Sequence, residues 1–330
     1  MENVAILGGG SWGTALAISL AKKKIAVDLW CRNTAQAEEM EKSRVNSKYL
    51  PNAELPEGVQ VTADLKDAVS GKSMVVLAVT SQSVRQVSSD IKPWLAKDAI
   101  VVNVAKGLEL GTNLRLSQVV EEVLPDNPFV ALCGPSHAEE VSIGMPTGLV
   151  AASHEREAAM AVQDMFISPT LRVYTNDDLI GVEIGGALKN IIALANGIAV
   201  GLGYGDNTQA MLLTRGLAEI TRLGVALGAK NATFLGLTGV GDLVVTCNSE
   251  HSRNRRCGEA LGRGEKLGQV LSDMGMVVEG VNTTRAAVDL ARKSSISMPI
   301  AEEMYSVLFN GDDVRGTVDR LMCRDKKNEF

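Results

Sequence analysis

Lys189 and Asn190 interrupt an otherwise apolar helical run, Gly185-Gly186-Ala187-Leu188-Lys189-Asn190-Ile191-Ile192-Ala193-Leu194-Ala195-Asn196-Gly197. A charged side chain is rarely buried unpaired, so a lysine here either snorkels to a surface or faces a polar cleft, where it is a candidate for chemistry. Lys106, in Ala105-Lys106-Gly107, follows a strand-like run and is either a solvated loop lysine or a substrate contact. Glycines flank the acid in Thr238-Gly239-Val240-Gly241-Asp242, which reads as a tight loop presenting Asp242 or as a mere turn. Ser252-Arg253-Asn254-Arg255-Arg256 gathers cations, a hydroxyl and an amide just before a helix expected to start near Cys257. Helix N-termini and guanidinium forks both favour phosphate, although a charge run is also how a solvated face reads.

These side chains need a scaffold, and its first part is explicit. Val4-Ala5-Ile6-Leu7 reads as a buried strand, followed at once by Gly8-Gly9-Gly10-Ser11-Trp12-Gly13 and an apolar helix through Ala15, Leu16, Ile18 and Leu20. This is G-x-G-x-x-G between a strand and a helix. Gly8 permits the tight turn, Gly10 lets backbone approach a pyrophosphate, and Gly13 lets helix pack on strand. At the end of the next strand, Ala26 to Trp30, an NAD enzyme places a carboxylate for the ribose hydroxyl; here the place reads Cys31-Arg32-Asn33. Arg32 is either a solvated strand-end residue or an acceptor for a 2'-phosphate, so NADPH is permitted.

Further strand-like runs follow at Met74–Val79, Ala99–Val104 and Phe129–Leu132, and Thr147–Ala152 and Leu171–Tyr174 extend the sheet. Continuous β-branched runs of this kind are parallel strands covered on both faces. The polar segments behind them, Thr80-Ser81-Gln82, Ala105-Lys106-Gly107 and Cys133-Gly134-Pro135-Ser136-His137-Ala138, are expected to converge on one crevice. From about Asp178 helical periodicity takes over, with Met211, Leu212, Leu217, Ile220 and Leu223, then Ala286, Ala287 and Leu290, then Met304, Val307 and Leu308 as core. The division expected is therefore residues 1–178 as a dinucleotide-binding domain and 179–330 as a helical substrate domain, ending in a frayed polar tail from Arg324 to Phe330.

Composition removes several function classes. A length of 330 residues exceeds what one core usually serves, and 45% hydrophobic residues are ordinary for a globular chain. The apolar run from Ile191 to Leu202 is too short and too interrupted to span a bilayer, and the direct entry into a strand argues against a signal peptide. Cys31, Cys133, Cys247, Cys257 and Cys323 form no C-x-x-C pair, which argues for free thiols in a reducing compartment. His137, His154 and His251 lack metal-ligand spacing, so no metal is expected. A net charge of -6 argues against nucleic-acid or membrane-surface binding; an anionic ligand must be held by a local cluster.

In this order the motifs Gly8–Gly13, Ala105–Gly107, Gly134-Pro135-Ser136, Gly186–Asn190, Gly239–Leu243 with Thr246, Ser252-Arg253-Asn254 and Val278-Glu279-Gly280 make the sequence closely similar to the bacterial-type NAD(P)-dependent glycerol-3-phosphate dehydrogenases, over essentially the whole chain. The resemblance implies an α/β protein, an N-terminal Rossmann-like doubly wound sheet plus a mostly α-helical C-terminal domain of the 6-phosphogluconate dehydrogenase C-terminal type. It implies cofactor contacts, with NADPH or NADH, from Ser11, Trp12, Arg32, Lys106, Ala138, Arg253, Val277 and Glu279, beside the motif glycines Gly8, Gly10 and Gly13. It implies contacts with dihydroxyacetone phosphate or glycerol 3-phosphate from Lys106, Gly134, Ser136, Lys189, Asp242, Ser252, Arg253 and Asn254, with no departure at these positions.

Reduction of the ketone leaves charge on oxygen and needs a positioned proton donor. Lys189 serves, Lys106 nearby would lower its pKa, Asp242 would orient the ammonium, and Asn190, Thr246, Arg253 and Asn254 would hold polar groups of the substrate. The family reading adds a cytoplasmic homodimer feeding glycerophospholipid synthesis. Three rivals stay open on the residues: a hydroxyacid dehydrogenase of the same architecture, which would need a carboxylate site at Ser252-Arg253-Asn254; a non-enzymatic dinucleotide sensor, which would need neither Lys189 nor Asp242; and an interaction protein that merely kept the fold.

Overall fold

The computed structural model describes residues 3–326, 328 and 329. The N-terminal half alternates strands and helices: β1 (Asn3–Leu7), α1 (Ser11–Lys22), β2 (Ala26–Trp30), α2 (Thr34–Ser43), the short pair β3 (Val45–Asn46) and β4 (Leu50–Glu54), β5 (Val59–Thr62), α3 (Leu65–Val69), β6 (Met74–Leu77), α4 (Val84–Ile91), β7 (Ile100–Asn103), α5 (Leu116–Val123), β8 (Phe129–Cys133), α6 (Ala138–Ser142), β9 (Thr147–Ala152), α7 (Arg156–Phe166) and β10 (Leu171–Asn176). Eight of the strands form one sheet in the order β10-β9-β8-β7-β6-β1-β2-β5. Its central strands are apolar on both faces because helices cover both sides.

Register sets the functional edge. Leu7 lies level with Trp30 on one side and with Leu77 on the other, and Leu77 lies level with Asn103. Four strands therefore end together, and the loops at Gly8, Cys31, Ala78 and Val104 open on one edge. The sheet is mixed, not wholly parallel as the apolar runs implied: β9 runs antiparallel to β8, with β10 parallel to β9. Burial on both faces produces the same apolar sequence for either direction, so the reversal left no mark in composition. Strand β5 carries alternating Val59, Gln60, Val61 and Thr62, a short pattern that the sequence reading passed over.

That reversal has a consequence for the second half. The chain leaves β10 at the edge opposite the loops, and Asp178 caps α8 (Leu179–Gly201) by accepting from the Gly181 N–H at 2.9 Å. Leu179 and Val182 pack on Ala131, Cys133, Val150 and Ala152 as α8 climbs back along β8. At Gly186 the backbone comes so near that a Cβ would lie 2.6 Å from the Cys133 sulfur. One turn later Lys189 arrives at the functional edge. At 23 residues α8 is longer than the apolar run read from sequence, and long and apolar enough to cross a membrane, but 89% of its most apolar window is buried inside the protein. It is the core helix of the helical half.

Around α8 pack α9 (Asp206–Ala226), α10 (Asp242–Asn248), α11 (Arg253–Gly262), α12 (Leu267–Met274), α13 (Glu279–Lys293), α14 (Pro299–Tyr305) and α15 (Val314–Met322). Ile220, Leu223, Ala286, Ala287, Met304 and Leu308 are buried there, whereas Met211 is 41% exposed and does not belong to the core. Asp325 and Lys326 are exposed; of the polar tail, Lys327 and Phe330 lie outside the described residues.

The tightest crossing is α8 on α11, and glycines spaced by four make it possible on both helices. A Cβ at Gly197 would lie 2.1 Å from the Arg255 carbonyl oxygen, and one at Gly258 would lie 2.0 Å from that of Leu194. Gly201 and Gly262 repeat the relation one turn on. This contact sets where the first turn of α11 falls beside Asn190. Gly258→Ala should therefore cost about 1–3 kcal/mol by overpacking against backbone, read as a lower urea midpoint. Gly268→Ala, in α12 with open space around it, is the control and should be neutral or slightly stabilising. Equal midpoints for the two variants would contradict the packing account.

Candidate active site

At the sheet edge, Gly8 adopts φ +135, and a Cβ there would meet the Ala78 carbonyl oxygen at 2.3 Å. A Cβ at Gly13 would lie 2.0 Å from the Gly8 carbonyl oxygen, so helix α1 sits directly on the turn. Gly10 caps α1 with nothing within 4 Å of its Cβ position, leaving the helix N-terminus approachable there, while the adjoining Ser11 and Trp12 are half-buried, Trp12 against the core. Two side chains that pattern reading missed fasten this turn. Gln36 Nε2 and Asn46 Nδ2 both donate to the Gly9 carbonyl, at 2.7 and 3.0 Å, and Asn46 also donates to Thr14 Oγ1 at 2.8 Å. Arg32 is exposed at the end of β2 and Asn33 beside it caps α2.

The chemistry-bearing cluster lies where α8 reaches that edge. Lys189 Nζ donates to Asp242 Oδ1 at 2.5 Å and to Thr246 Oγ1 at 2.6 Å. Lys106 Nζ donates to Asp242 Oδ2 at 2.8 Å and to the Gly134 carbonyl at 2.8 Å. Asp242 is 1% exposed and Lys189 5% exposed, so the carboxylate and one ammonium are held away from water while the second ammonium, on half-buried Lys106, borders the cleft. Asp242 is presented not by a loop: Leu237–Gly241 forms a single π-helical turn that runs straight into α10, with Asp242 in its first turn and Thr246 one turn later. Gly185 and Gly239 permit this, since a Cβ at either would strike backbone oxygen at 2.6 and 2.0 Å.

The electrostatics follow from burial competing with these charges. Burial is the largest influence on Lys189; Lys106 adds to it, Asp242 opposes it, and the ammonium is brought down to about 8. Burial also disfavours the charged form of Lys106, but Asp242 outweighs it and Lys106 stands above its ordinary value. Burial would raise Asp242, yet the two lysines hold it below the usual carboxylate range. The cluster thus contains one amine that titrates near neutrality beside one that stays charged.

The second group of polar residues sits in the first turn of α11, which starts at Arg253 and not near Cys257. Ser252 caps that helix, accepting from the Arg255 N–H at 3.2 Å. Asn254 Nδ2 donates to Asn190 Oδ1 at 2.9 Å while its Oδ1 accepts from the Gly280 N–H at 2.9 Å, so its amide braces α8, α11 and α13 together. Asn190 Nδ2 reaches the Lys106 carbonyl at 3.4 Å. Arg253 Nη1 donates to the Val277 carbonyl at 2.9 Å. Ser136 Oγ turns back to the Gly134 carbonyl at 2.9 Å, and the buried Ala138 begins α6 beside it.

Two carboxylates cross from the helical half to the sheet. Glu279 accepts from Ser81 N–H at 3.0 Å and Ser81 Oγ at 2.6 Å. Glu183, one of the few charges on α8, accepts from Arg115 Nη1 at 2.6 Å and from Ser117 N–H and Oγ at 2.8 and 2.5 Å. Glu183 was missed in the sequence. The signal that picked out Lys189, a charge within an apolar helical run, was available for it too.

A glycine-turned sheet edge facing a helical half that buries a lysine–aspartate–lysine cluster is the build of a two-domain dehydrogenase of the Rossmann class. Residues 3–159 match the family model for the NAD-dependent glycerol-3-phosphate dehydrogenase N-terminus, and residues 178–319 that for the C-terminus. The chain is 56% identical to glycerol-3-phosphate dehydrogenase [NAD(P)+] of Desulfitobacterium hafniense, across 100% of this chain and 94% of that one. It is 54% identical to the protein of the same name from Geobacillus kaustophilus, across 100% and 97%. The crystal structure of glycerol-3-phosphate dehydrogenase from Coxiella burnetii superposes with a TM-score of 0.95 at 38% identity, across 98% of this chain and 99% of that one. The chain belongs to the NAD-dependent glycerol-3-phosphate dehydrogenase family.

Removing the shared carboxylate tests the electrostatic account. Asp242→Asn leaves the buried Lys189 ammonium and the half-buried Lys106 ammonium without their counter-charge and should cost about 3–5 kcal/mol at neutral pH. With the carboxylate gone both amines titrate lower in the folded than in the unfolded chain, so the unfolded state binds more protons and stability rises with pH. The deficit relative to the unmodified protein, measured by urea unfolding, should shrink as pH is raised from neutrality. A deficit independent of pH would assign Asp242 a packing role instead.

Proposed function

We infer that this chain reduces dihydroxyacetone phosphate to sn-glycerol 3-phosphate, reversibly, with NADPH or NADH. The observation that carries the reading is the buried Lys189–Asp242–Lys106 cluster at the edge where the glycine turn opens, in a chain of this family. The open helix N-terminus at Gly10 and the close approaches at Gly8 and Gly13 fit a pyrophosphate. Exposed Arg32, with no acid beside it at the end of β2, accommodates a 2'-phosphate as well as a free hydroxyl. Residues 1–178 hold the cofactor, with Ser11, Trp12, Arg32, Lys106 and Ala138, helped by Arg253, Val277 and Glu279 from residues 179–330.

The bound cofactor supplies a hydride to the carbonyl carbon. The chain supplies the rest. Lys189 donates the proton to the developing alkoxide, and Lys106 remains charged and stabilises it. Asp242 and Thr246 fix the Lys189 ammonium, because its two short hydrogen bonds leave it one direction to point. Asn190, Gly134 and Ser136 line the three-carbon chain, and Ser252, Arg253 and Asn254 receive the phosphate at the start of α11. For Ser252 and Asn254 this means sharing groups that already cap and brace. Their side chains are fixed before the substrate arrives, which lowers the ordering cost of binding. An arginine fork and a helix N-terminus suit a dianion better than the carboxylate of a hydroxyacid. A sensor would have no use for a buried, downshifted lysine. The reading includes a cytoplasmic homodimer that supplies glycerol 3-phosphate to glycerophospholipid synthesis and takes no nucleic acid or membrane as partner.

Following consumption of reduced nicotinamide by absorbance with dihydroxyacetone phosphate, beside unphosphorylated dihydroxyacetone, tests the reading directly. Turnover should require the phosphate for efficiency, and its absence with both cofactors would refute the activity. Lys189→Met should fold and bind cofactor yet lose about 100-fold or more in kcat. Because the donor must be protonated, kcat/KM for reduction should fall as pH rises through about 8, while oxidation of glycerol 3-phosphate should rise through the same value. Limbs of the same sign in both directions would exclude Lys189 as the proton carrier.

A further inference from the structure

His137 is a half-buried group beside the cleft that the reading above leaves without a task. Its Nε2 is buried with no hydrogen-bonding partner. A buried polar atom of that kind either wastes free energy or waits for a ligand. The residue follows Ser136 in the loop after β8, directly before α6. Its ring lies 5.8 Å from that of His251, centroid to centroid, tilted by 55°. His251 in turn precedes Ser252, so the two imidazoles join the segment of Ser136, beside the carbon chain, to the segment of Ser252, at the phosphate.

Charged groups reach His137 from each surrounding element: Lys189 on α8, Lys106 after β7, Glu139 on α6, with the Val245 carbonyl from α10. Burial is the largest influence and the two lysines add to it, so the charged imidazolium is disfavoured and His137 sits below its ordinary value. A dianion entering beside it reverses that balance. We propose that His137 is a substrate-binding residue, whose buried Nε2 meets the phosphate of dihydroxyacetone phosphate and takes up a proton from solvent as the dianion docks. This rests on the reading of the site as one for that substrate. The sign follows: binding that takes up a proton is favoured at low pH and weakens as pH rises past the value of His137 in the complex.

The experiment compares KM and kcat of the unmodified protein, His137→Phe and His137→Gln across about pH 6 to pH 9, a range that spans the histidine transition. The second ionisation of the substrate phosphate, near about 6, is common to all three and cancels in their ratios. His137→Phe should raise KM for dihydroxyacetone phosphate about 10-fold at the acid end, the scale of one lost charge-assisted hydrogen bond. That ratio should fade toward the alkaline end, with kcat little changed. Cofactor affinity, read by nicotinamide fluorescence, and turnover of dihydroxyacetone should be unaffected. His137→Gln keeps a donor that does not titrate, so its KM should change less with pH than that of the unmodified protein. The proposal is overturned if the ratios are independent of pH, or if dihydroxyacetone turnover falls by the same factor. Should His137→Phe fail to fold, a Gln variant with the unmodified pH profile overturns it equally. An unmodified protein inactive on dihydroxyacetone phosphate would instead refute the parent reading.

Discussion

One carboxylate between two ammoniums is the constraint from which the site follows. Asp242 is held at 2.5 Å by Lys189 and at 2.8 Å by Lys106, the first two out of water and Lys106 largely so, which leaves the cluster with one uncompensated positive charge when both lysines are protonated. Buried charge is costly, and the structure divides that cost unequally. Lys106 stands above its ordinary value because the Asp242 carboxylate outweighs its burial, whereas Lys189, deeper and next to a second cation, is pushed down to about 8. An oxygen that gains negative charge during reaction removes the imbalance. The same arrangement that destabilises the empty site is therefore complementary to an alkoxide.

Holding that geometry requires α8 to be placed to within a fraction of a hydrogen bond, and small residues do this. Gly185 admits the Thr238 carbonyl, Gly186 admits the Cys133 sulfur and the stem of Lys106, and Gly197 and Gly201 admit α11. Each approach fixes one neighbour of the helix against backbone, which cannot adjust as a side chain would. The antiparallel turn between β8 and β9 is the counterpart at the level of topology. Without it the chain would leave the sheet at the functional edge, and a helix starting there would carry Lys189 away from Lys106.

Local chemistry was legible in the sequence where it departed from its surroundings. The glycine turn stood between strand and helix, and Lys189 stood in an apolar run, so both could be read without a partner in view. The alternation of strands and the change to helices near Asp178 were likewise readable from period. What pattern could not give was anything that depends on direction or on pairs far apart. The β9 reversal leaves the same buried residues, the π turn before Asp242 has the composition of a loop, and Arg253 to Arg256 were expected to precede a helix whose first turn they form. Asn46 and Gln36 meet at Gly9 only because a short strand pair folds back over the turn. Glu183 is the instructive omission: as a charge in an apolar helical run it carried the same signal as Lys189, and only its partners Arg115 and Ser117, 68 and 66 residues away, were out of reach of pattern.

Glu183 also bears on how a chain of net charge -6 can offer a site for an anion. Three carboxylates border or underlie the cluster, and none of them is left without donors. Asp242 is claimed by two lysines, Glu183 by an arginine and a helix N-terminus, and Glu279 by both polar groups of Ser81. Their lone pairs are directed into contacts between the sheet and the helices, so most of their charge is already answered by donors that join the two halves. The donors left over there, among them Arg253, the start of α11 and the open N-terminus of α1, are positive. Local sign thus differs from overall sign because the acids in the seam serve as its fasteners. The interactions that align the halves are the ones that clear negative charge from the space between them.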